Sequence, residues 1–385
     1  MIFIDVSGLQ VFLREGKPLS GIQRFTLNLL VGLQRLKNGA GVRVLVHDPV
    51  SKSFRGCSAS DFLNARGQGD LPLAPPRFEK ADQVLLTESF WNRDVADLAV
   101  KPGTFGEARV YRFVHDVIPL ALPKLYPARW VRAFRRDVSA AVKAADVVLT
   151  NSAFSLADTR RHLPREMEGK PAHVIRLPHE FLSVDESFAE GTGQGVPERT
   201  DCPPAGAAHL EGQDFALMVG SLEARKNPHV AVAAWRAVAA QHKPMPLLVI
   251  VGGVTSPSLW WKWKLKRAIA ATPSILHLRG CDDDGLRWLY RHCRFSIFLS
   301  AYEGWGLPVG ESLWFGKPVL CSNATSLPEV GEDLVDYVDP QDRTAATQML
   351  EALCRDAKPV TLIHNRLRSW ADFAKAAVAI LEKTD

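Results

Sequence analysis

Short apolar runs alternate with stretches of helical periodicity along almost the whole chain, and the series is played twice. Ile2-Phe-Ile-Asp-Val6, Val42-Arg-Val-Leu-Val-His47, Gln83-Val-Leu-Leu-Thr87, Val110-Tyr-Arg-Phe-Val114, Val147-Val-Leu-Thr150 and His173-Val-Ile-Arg-Leu177 have the length of buried strands. Phe215-Ala-Leu-Met-Val219, Leu247-Leu-Val-Ile-Val251, Ile275 to Leu278, Phe295-Ser-Ile-Phe-Leu-Ser300 and Pro318-Val-Leu-Cys321 repeat the pattern. Strand-helix-strand order of this kind covers both faces of a parallel sheet. The expectation is α/β: two doubly wound, parallel-sheet, Rossmann-like domains.

At 385 residues the chain is too long for one core. Residues 185–214 are rich in Gly, Pro, Asp and Glu and read as a linker. They separate an N-terminal domain, 1–184, from a C-terminal domain, 215–385. The closing amphipathic stretch, Asn365 to Leu381, is a candidate to pack back on the N-terminal domain. The segment from Ile2 to Pro18 reads as a strand followed by a loop, and residues 51–81 carry no assignable pattern.

A net charge of +5 admits a phosphate-bearing ligand or an anionic membrane surface. No aromatic-basic motif points to nucleic acid. The six cysteines form no Cys-x-x-Cys pair and no zinc spacing, and they read as reduced core residues. Met1-Ile-Phe-Ile-Asp-Val6 has no basic leader, and no apolar run is long enough to span a bilayer. A cytoplasmic protein, with the option of peripheral contact at the inner membrane, is expected.

Four places carry candidate chemistry. Ser300-Ala-Tyr-Glu-Gly-Trp-Gly-Leu-Pro-Val-Gly-Glu311 leaves a strand, crosses a glycine loop and enters a helix. Its carboxylates, Glu303 and Glu311, suit vicinal hydroxyls of a ribose or hexose. A loop acid and a solvated helix acid are the plain alternative. Gly220-Ser221-Leu-Glu-Ala-Arg225-Lys226-Asn227 puts two adjacent cations after a strand and a glycine turn, where a diphosphate would sit; a surface basic pair is the alternative. Ser20-Gly21-Ile-Gln-Arg24 opens a helix with Ser20 as its cap and free amides toward an anion. His115 and Asp116 lie at a strand end. Asp282-Asp-Asp284 reads as a helix cap and not as a metal site.

Two helices mix cations with indoles. Arg129 to Ala145 carries Trp130, Arg132, Arg135 and Arg136; Leu259-Trp-Trp-Lys-Trp-Lys-Leu-Lys-Arg267 carries three tryptophans. Each reads either as an interfacial helix on anionic lipid or as an ordinary amphipathic helix, the second packing its tryptophans on the sheet.

Together, Gly220 to Asn227, the Glu303/Glu311 pair, Ser326-Leu-Pro-Glu-Val330, Ser20 to Arg24 and His115-Asp-Val-Ile-Pro119 resemble the motifs of family-4 retaining glycosyltransferases, with a lean toward members that use GDP-mannose. The resemblance implies the GT-B fold, in which the two domains face a central cleft. It implies that Glu311 binds the ribose and that Arg225 and Lys226 hold the diphosphate beside Gly220 and Ser221. Gly21 would offer its amide to the distal phosphate. Glu303 and the backbone of Gly304, Trp305, Gly306 and Leu307 would hold the donor sugar. His115 would lie near the anomeric centre, the base against Gly280 and Cys281, and Asp116 would face the acceptor or cap its turn. No metal and no cofactor are implied beyond the nucleotide-sugar donor. The acceptor would be a saccharide, free or on a polyprenyl diphosphate carrier, in bacterial surface polysaccharide assembly. A UDP-sugar donor, a nucleotide-sugar epimerase and a non-catalytic glycan-binding protein stand as alternatives.

Overall fold

The computed structural model describes residues 1–37, 40–87, 93–194, 201–242, 244–255, 258–357 and 366–383. The chain divides into two units. The first is Met1–Leu177, Leu182–Pro197 and Ser369–Asp385; the second is Pro178–Phe181 and Glu198–Arg368.

The first unit is built on a seven-stranded sheet: β1 (Ile2–Asp5), β2 (Val42–Asp48), β3 (Ser53–Ser58), β4 (Gln83–Leu86), β5 (Arg109–Val114), β6 (Val147–Thr150) and β7 (Ala172–Val174). Their spatial order is β3-β2-β1-β4-β5-β6-β7. All neighbours are parallel except β3, which runs antiparallel to β2 with Asp48 opposite Ser53. β3 and a short helix, Ala59–Asn64, fill much of the stretch that carries no sequence pattern.

Four helices of this unit show how the local sequence sets helix ends and buried faces. α1 (Ser7–Arg14) occupies residues expected as loop. Its N-cap, Val6, has no capping side chain. The missing acceptor comes from Asp5, whose Oδ1 takes the Ser7 amide at 3.0 Å. α2 (Gly21–Leu36) has Ser20 at its N-cap, as expected. The Ser20 hydroxyl donates to the Gln23 side chain, so it leaves the first amides uncapped. α3 (Ala128–Ala144) buries Phe134, Val138, Ala141 and Val142. α4 (Val184–Thr192) corrects the expected linker, whose first residues are helical. Ser183 and Glu186 close a capping box, and Ser187 Oγ donates to Asn28 Oδ1 of α2 at 2.6 Å. The glycines that suggested a linker include Gly193, which ends α4 in the left-handed region at φ 71°.

The second unit carries a fully parallel six-stranded sheet: β8 (Phe215–Val219), β9 (Leu247–Val251), β10 (Ile275–Leu278), β11 (Phe295–Phe298), β12 (Val319–Ser322) and β13 (Asp336–Val338). The order is β10-β9-β8-β11-β12-β13. Its principal helices are α5 (Pro228–Gln241), α6 (Leu259–Ala270), α7 (Asp283–His292) and α8 (Leu307–Trp314). Trp235 of α5 is wholly buried in the core with Leu248, Ile250 and Phe295. Asp282 caps α7, its Oδ1 accepting from the Gly285 amide at 2.8 Å, as the acidic run suggested.

The last helix, α9 (Trp370–Leu381), belongs to the first unit. It lies so close to α2 that a Cβ on Gly32 would meet Ala374 Cβ at 2.5 Å. Phe373 packs edge-on against Phe25, centroids 5.5 Å apart. The helix starts at Trp370, capped by Ser369; Asn365, its expected first residue, lies outside the described residues. Two parallel-sheet, Rossmann-like units are therefore present. Of the cysteines, Cys202 is exposed and departs from the expected core role.

Candidate active site

Open α/β sheets hold ligands beyond the C-terminal ends of their strands. In the second unit, β8, β11 and β12 each release a loop there, and those loops interlock.

From β8 the chain turns at Gly220, whose φ of 132° only glycine adopts readily. A Cβ at Gly220 would stand 2.9 Å from Lys226 Nζ, so the bare glycine also makes room for the ammonium. Ala224–Lys226 forms a single 3₁₀ turn, ended by Asn227 in the left-handed region. Asn227 Nδ2 donates to Pro340 O at 3.2 Å and pins the turn. The turn presents Arg225 and Lys226 side by side. Arg225 Nε donates to Glu223 Oε2 at 3.0 Å, and its Nη1 lies 2.8 Å from Glu303 Oε2. The same Nη1 donates to Tyr302 O at 3.0 Å. Lys226 Nζ lies 3.7 Å from Glu303 Oε1 and 5.6 Å from the Phe298 ring centroid.

Glu303 is buried. Ser300 Oγ donates to its Oε1 at 2.9 Å, and its amide donates to Thr325 Oγ1 at 3.0 Å. Burial pushes the Glu303 carboxyl up, but Lys226 and Arg225, with the Arg225 and Ser300 hydrogen bonds, hold it below the ordinary glutamate value. Glu303 is thus an ionised, buried carboxylate. Ser326 Oγ lies 2.9 Å from the carbonyl oxygens of both Glu303 and Trp305, which fixes the loop ahead of Gly306 and Leu307. The Arg368 guanidinium covers the Trp305 ring at 5.6 Å.

Glu311 stands half-buried on α8, and Tyr290 of α7 donates to its Oε2 at 2.8 Å. Tyr290 stacks on Phe315, centroids 5.6 Å apart. Gly280 is exposed in the loop from β10 to α7, and Cys281 packs against the cluster that contains Tyr290, Leu289 and Phe181. One further element braces α8. His179 lies beside Gly310, its Nε2 donates to Val330 O at 3.1 Å, and its Nδ1 accepts the Arg368 amide at 3.0 Å. Burial, with the Arg368 charge, pushes His179 down to about 4, so the ring is neutral.

In the first unit, Gly21 is exposed at the head of α2. His115 Nε2 lies 2.8 Å from Thr87 O, and its ring is wedged against Phe25 and Phe113, each centroid 4.8 Å away. Burial, and to a smaller degree Arg112, pushes it down to about 4 against the Thr87 bond. Asp116 Oδ1 accepts the Ile118 amide at 3.1 Å, which is a turn cap.

The structure therefore joins Gly220, Arg225, Lys226 and Glu303 in one cluster and gives Glu311 a separate brace. Sequence reasoning missed Glu223, Ser300, Thr325 and Ser326, although Glu223, Ser300 and Ser326 lie inside the motifs singled out. It also missed Tyr290 and His179. Nothing in the local pattern marks Tyr290, which sits on the inner face of an ordinary amphipathic helix.

Residues 205–370 match the family model for Glycosyl transferases group 1. The chain is 26% identical over 362 residues to the O-antigen chain mannosyltransferase B of Escherichia coli, covering 88% of each. It is 33% identical over 272 residues to the serotype-specific mannosyltransferase WbdA of Escherichia coli, covering 69% of this chain and 32% of that larger one. Among solved structures, sucrose-phosphate synthase from Thermosynechococcus elongatus superposes with a TM-score of 0.61 over 99% of this chain and 94% of that one. At 13% identity that likeness shows the fold alone, which is GT-B.

Proposed function

We propose that the chain is a retaining, metal-independent glycosyltransferase that moves mannose from a GDP-linked donor to a saccharide acceptor in the assembly of a bacterial surface polysaccharide. Relatives that carry the name mannosyltransferase match the chain, one of them at 26% identity over 88% of both chains. The observation that carries the reading is the buried, ionised Glu303 held between Arg225 and Lys226. A carboxylate kept charged in so dry a place is a strong acceptor for sugar hydroxyls.

Transfer breaks the bond between the anomeric carbon and the diphosphate. The bonding pair leaves on the phosphate oxygen, and positive charge develops on the ring. Arg225 and Lys226 answer the charge on the diphosphate, with no metal called for. The acceptor oxygen bonds to the anomeric carbon on the face just vacated, and its proton passes to the departing phosphate oxygen. Glu303 holds donor hydroxyls and, as an anion, favours the cationic ring. Glu311, oriented by Tyr290, binds the ribose. The amides of Gly304 to Leu307 hold the sugar, Gly280 and Cys281 lie by the base, and Gly21 offers an amide to the distal phosphate. His115, kept neutral, donates its Nε2 proton to Thr87 O and leaves Nδ1 to accept a hydrogen bond near the anomeric centre without adding a second cation there. Asp116 caps its turn.

Two of the assigned binding groups start out engaged with each other. Donor binding must therefore exchange the Arg225–Glu303 pair for Arg225–phosphate and Glu303–hydroxyl contacts. A thermal-shift panel of GDP, UDP, ADP and TDP, followed by transfer assays with GDP-mannose and UDP-glucose, tests the reading. The expected result is a rise in melting temperature with GDP above the other three, and GDP release that depends on acceptor. Preference for UDP would overturn the donor, and isomerised sugar without acceptor would point to an epimerase.

A further inference from the structure

The helix with three tryptophans divides its surface between core and solvent. Trp261, Leu265, Ala268 and Ile269 of α6 pack into the core of the second unit. Trp260 and Trp263 do not: they are 64% and 55% exposed, and Leu259 is 79% exposed. The reading in which all three indoles cover the sheet is thus corrected for two of them. Positions 259, 260, 263, 264 and 267 share one face at helical spacing.

The helix is also strongly cationic, with Lys264 and Arg267 on that face and Lys262 and Lys266 flanking it. α6 holds Lys262, Lys264, Lys266 and Arg267 and no acid. Among the described residues none of these four is in a salt bridge. Lys264 instead lies over the Trp260 ring at 4.5 Å, and Arg267 over the Trp263 ring at 5.2 Å. The apolar surface continues beneath Trp260 into a cavity of about 330 Å³ lined by His229, Val232, Trp260, Trp261, Lys264 and Leu265.

We infer that this face of α6 docks the protein onto an anionic bilayer surface. Exposed indoles are costly in water and favoured at the headgroup level, where an apolar ring meets polar surroundings. Unpaired cations beside them gain from anionic headgroups within a Debye length. Among the described residues no helix is long and apolar enough to cross a membrane, so the contact is one of lying on the surface. The other basic helix, α3, fits less well. Its one large exposed aromatic is Trp130, while Arg136 pairs with Asp137 at 2.6 Å and Arg135 donates to His162 O. The inference does not depend on which sugar or nucleotide the chain uses.

The test is flotation of the full chain with vesicles of phosphatidylcholine alone and of phosphatidylcholine with phosphatidylglycerol. The wild type should float with the anionic vesicles, and binding should fall as salt rises. Trp260→Ala with Trp263→Ala should weaken binding by about tenfold or more, with an unchanged urea midpoint because both rings are solvent-exposed. Lys264→Glu with Lys266→Glu and Arg267→Glu should do the same and serves as the second variant. The inference fails if the wild type stays unbound, or if both α6 variants bind as well as the wild type. It also fails if Arg132→Glu with Arg136→Glu abolishes binding while the α6 variants keep it. A fall in oligomeric state of the tryptophan variant by light scattering, without change in vesicle binding, would assign the face to contacts between copies of the chain.

Discussion

Each unit buries a carboxylate at or just beyond the C-terminal end of a parallel strand, Asp5 in the first and Glu303 in the second, and the two have opposite fates. Asp5, at the end of β1, is wholly buried and receives its hydrogen bonds from Ser7, through the amide at 3.0 Å and the hydroxyl at 2.6 Å. Burial raises its pKa, and these bonds do not overcome it. Glu303 meets the same burial but faces two cations, and its pKa falls. Neutral donors shape a buried acid, while cations within hydrogen-bond reach keep it charged. The first unit uses its acid to start a helix. The second keeps its acid as an anion, the form that the proposed chemistry uses.

Exchanging each acid for its amide is the strongest test of that contrast. Glu303→Gln should lower transfer by about a thousandfold or more and cost roughly 3–5 kcal/mol in urea unfolding, because Arg225 and Lys226 lose their buried partner. Asp5→Asn should keep activity and change stability by about 1 kcal/mol or less, since the amide oxygen still accepts from Ser7. Equal losses in the two variants would erase the distinction. Lys226→Ala comes next, with kcat down by about a hundredfold or more and a smaller change in KM.

The two acids also carry opposite pH signatures. Glu303, depressed, contributes stability above the ordinary value of 4.5 and loses it as pH falls through its lower folded value. Asp5, raised, contributes fully below 3.8 and loses that contribution as pH rises through its higher folded value. The histidines add a third window. His115 and His179 are depressed from 6.5 to about 4, so the unfolded chain takes up their protons first. Stability should therefore decline from pH 6.5 down to about 4, and His179→Gln should flatten that decline in urea midpoints measured across it. The smallest expected effect is that of Tyr290→Phe. Loss of its bond to Glu311 should raise the donor KM by about tenfold or less with kcat nearly unchanged.

Much of this architecture was legible because strands buried on both faces leave uninterrupted apolar runs. Phe215 to Val219 and Leu247 to Val251 could be nothing else. α1 was missed because its start signal sits outside it, on Asp5, within a run patterned as a strand. α4 was missed although Ser183 and Glu186 spell a capping box; the glycines beyond them gave the segment the composition of a linker. The antiparallel β3 is too polar at Ser53, Arg55 and Ser58 to announce itself. Within the site, Arg225, Lys226 and Glu303 were visible because motif residues carry charge. Their mutual pairing was not, since it depends on how β8 and β11 bring separate loops together. Tyr290 contributes a single hydroxyl from an otherwise apolar helix face, and no spacing reveals which carboxylate it meets.

The position of α9 sets an order on how the molecule comes into being. A ribosome delivers the first unit's sheet early, yet the helix that closes its α2 face is encoded after the whole of the second unit. Until residues 370–381 emerge, Phe25 and the groove beside Gly32 have no cover from Phe373 and Ala374. The nascent first unit must wait with an apolar flank open while its neighbour is synthesised, and a chain stopped short of α9 would keep that flank for chaperones and proteases to find.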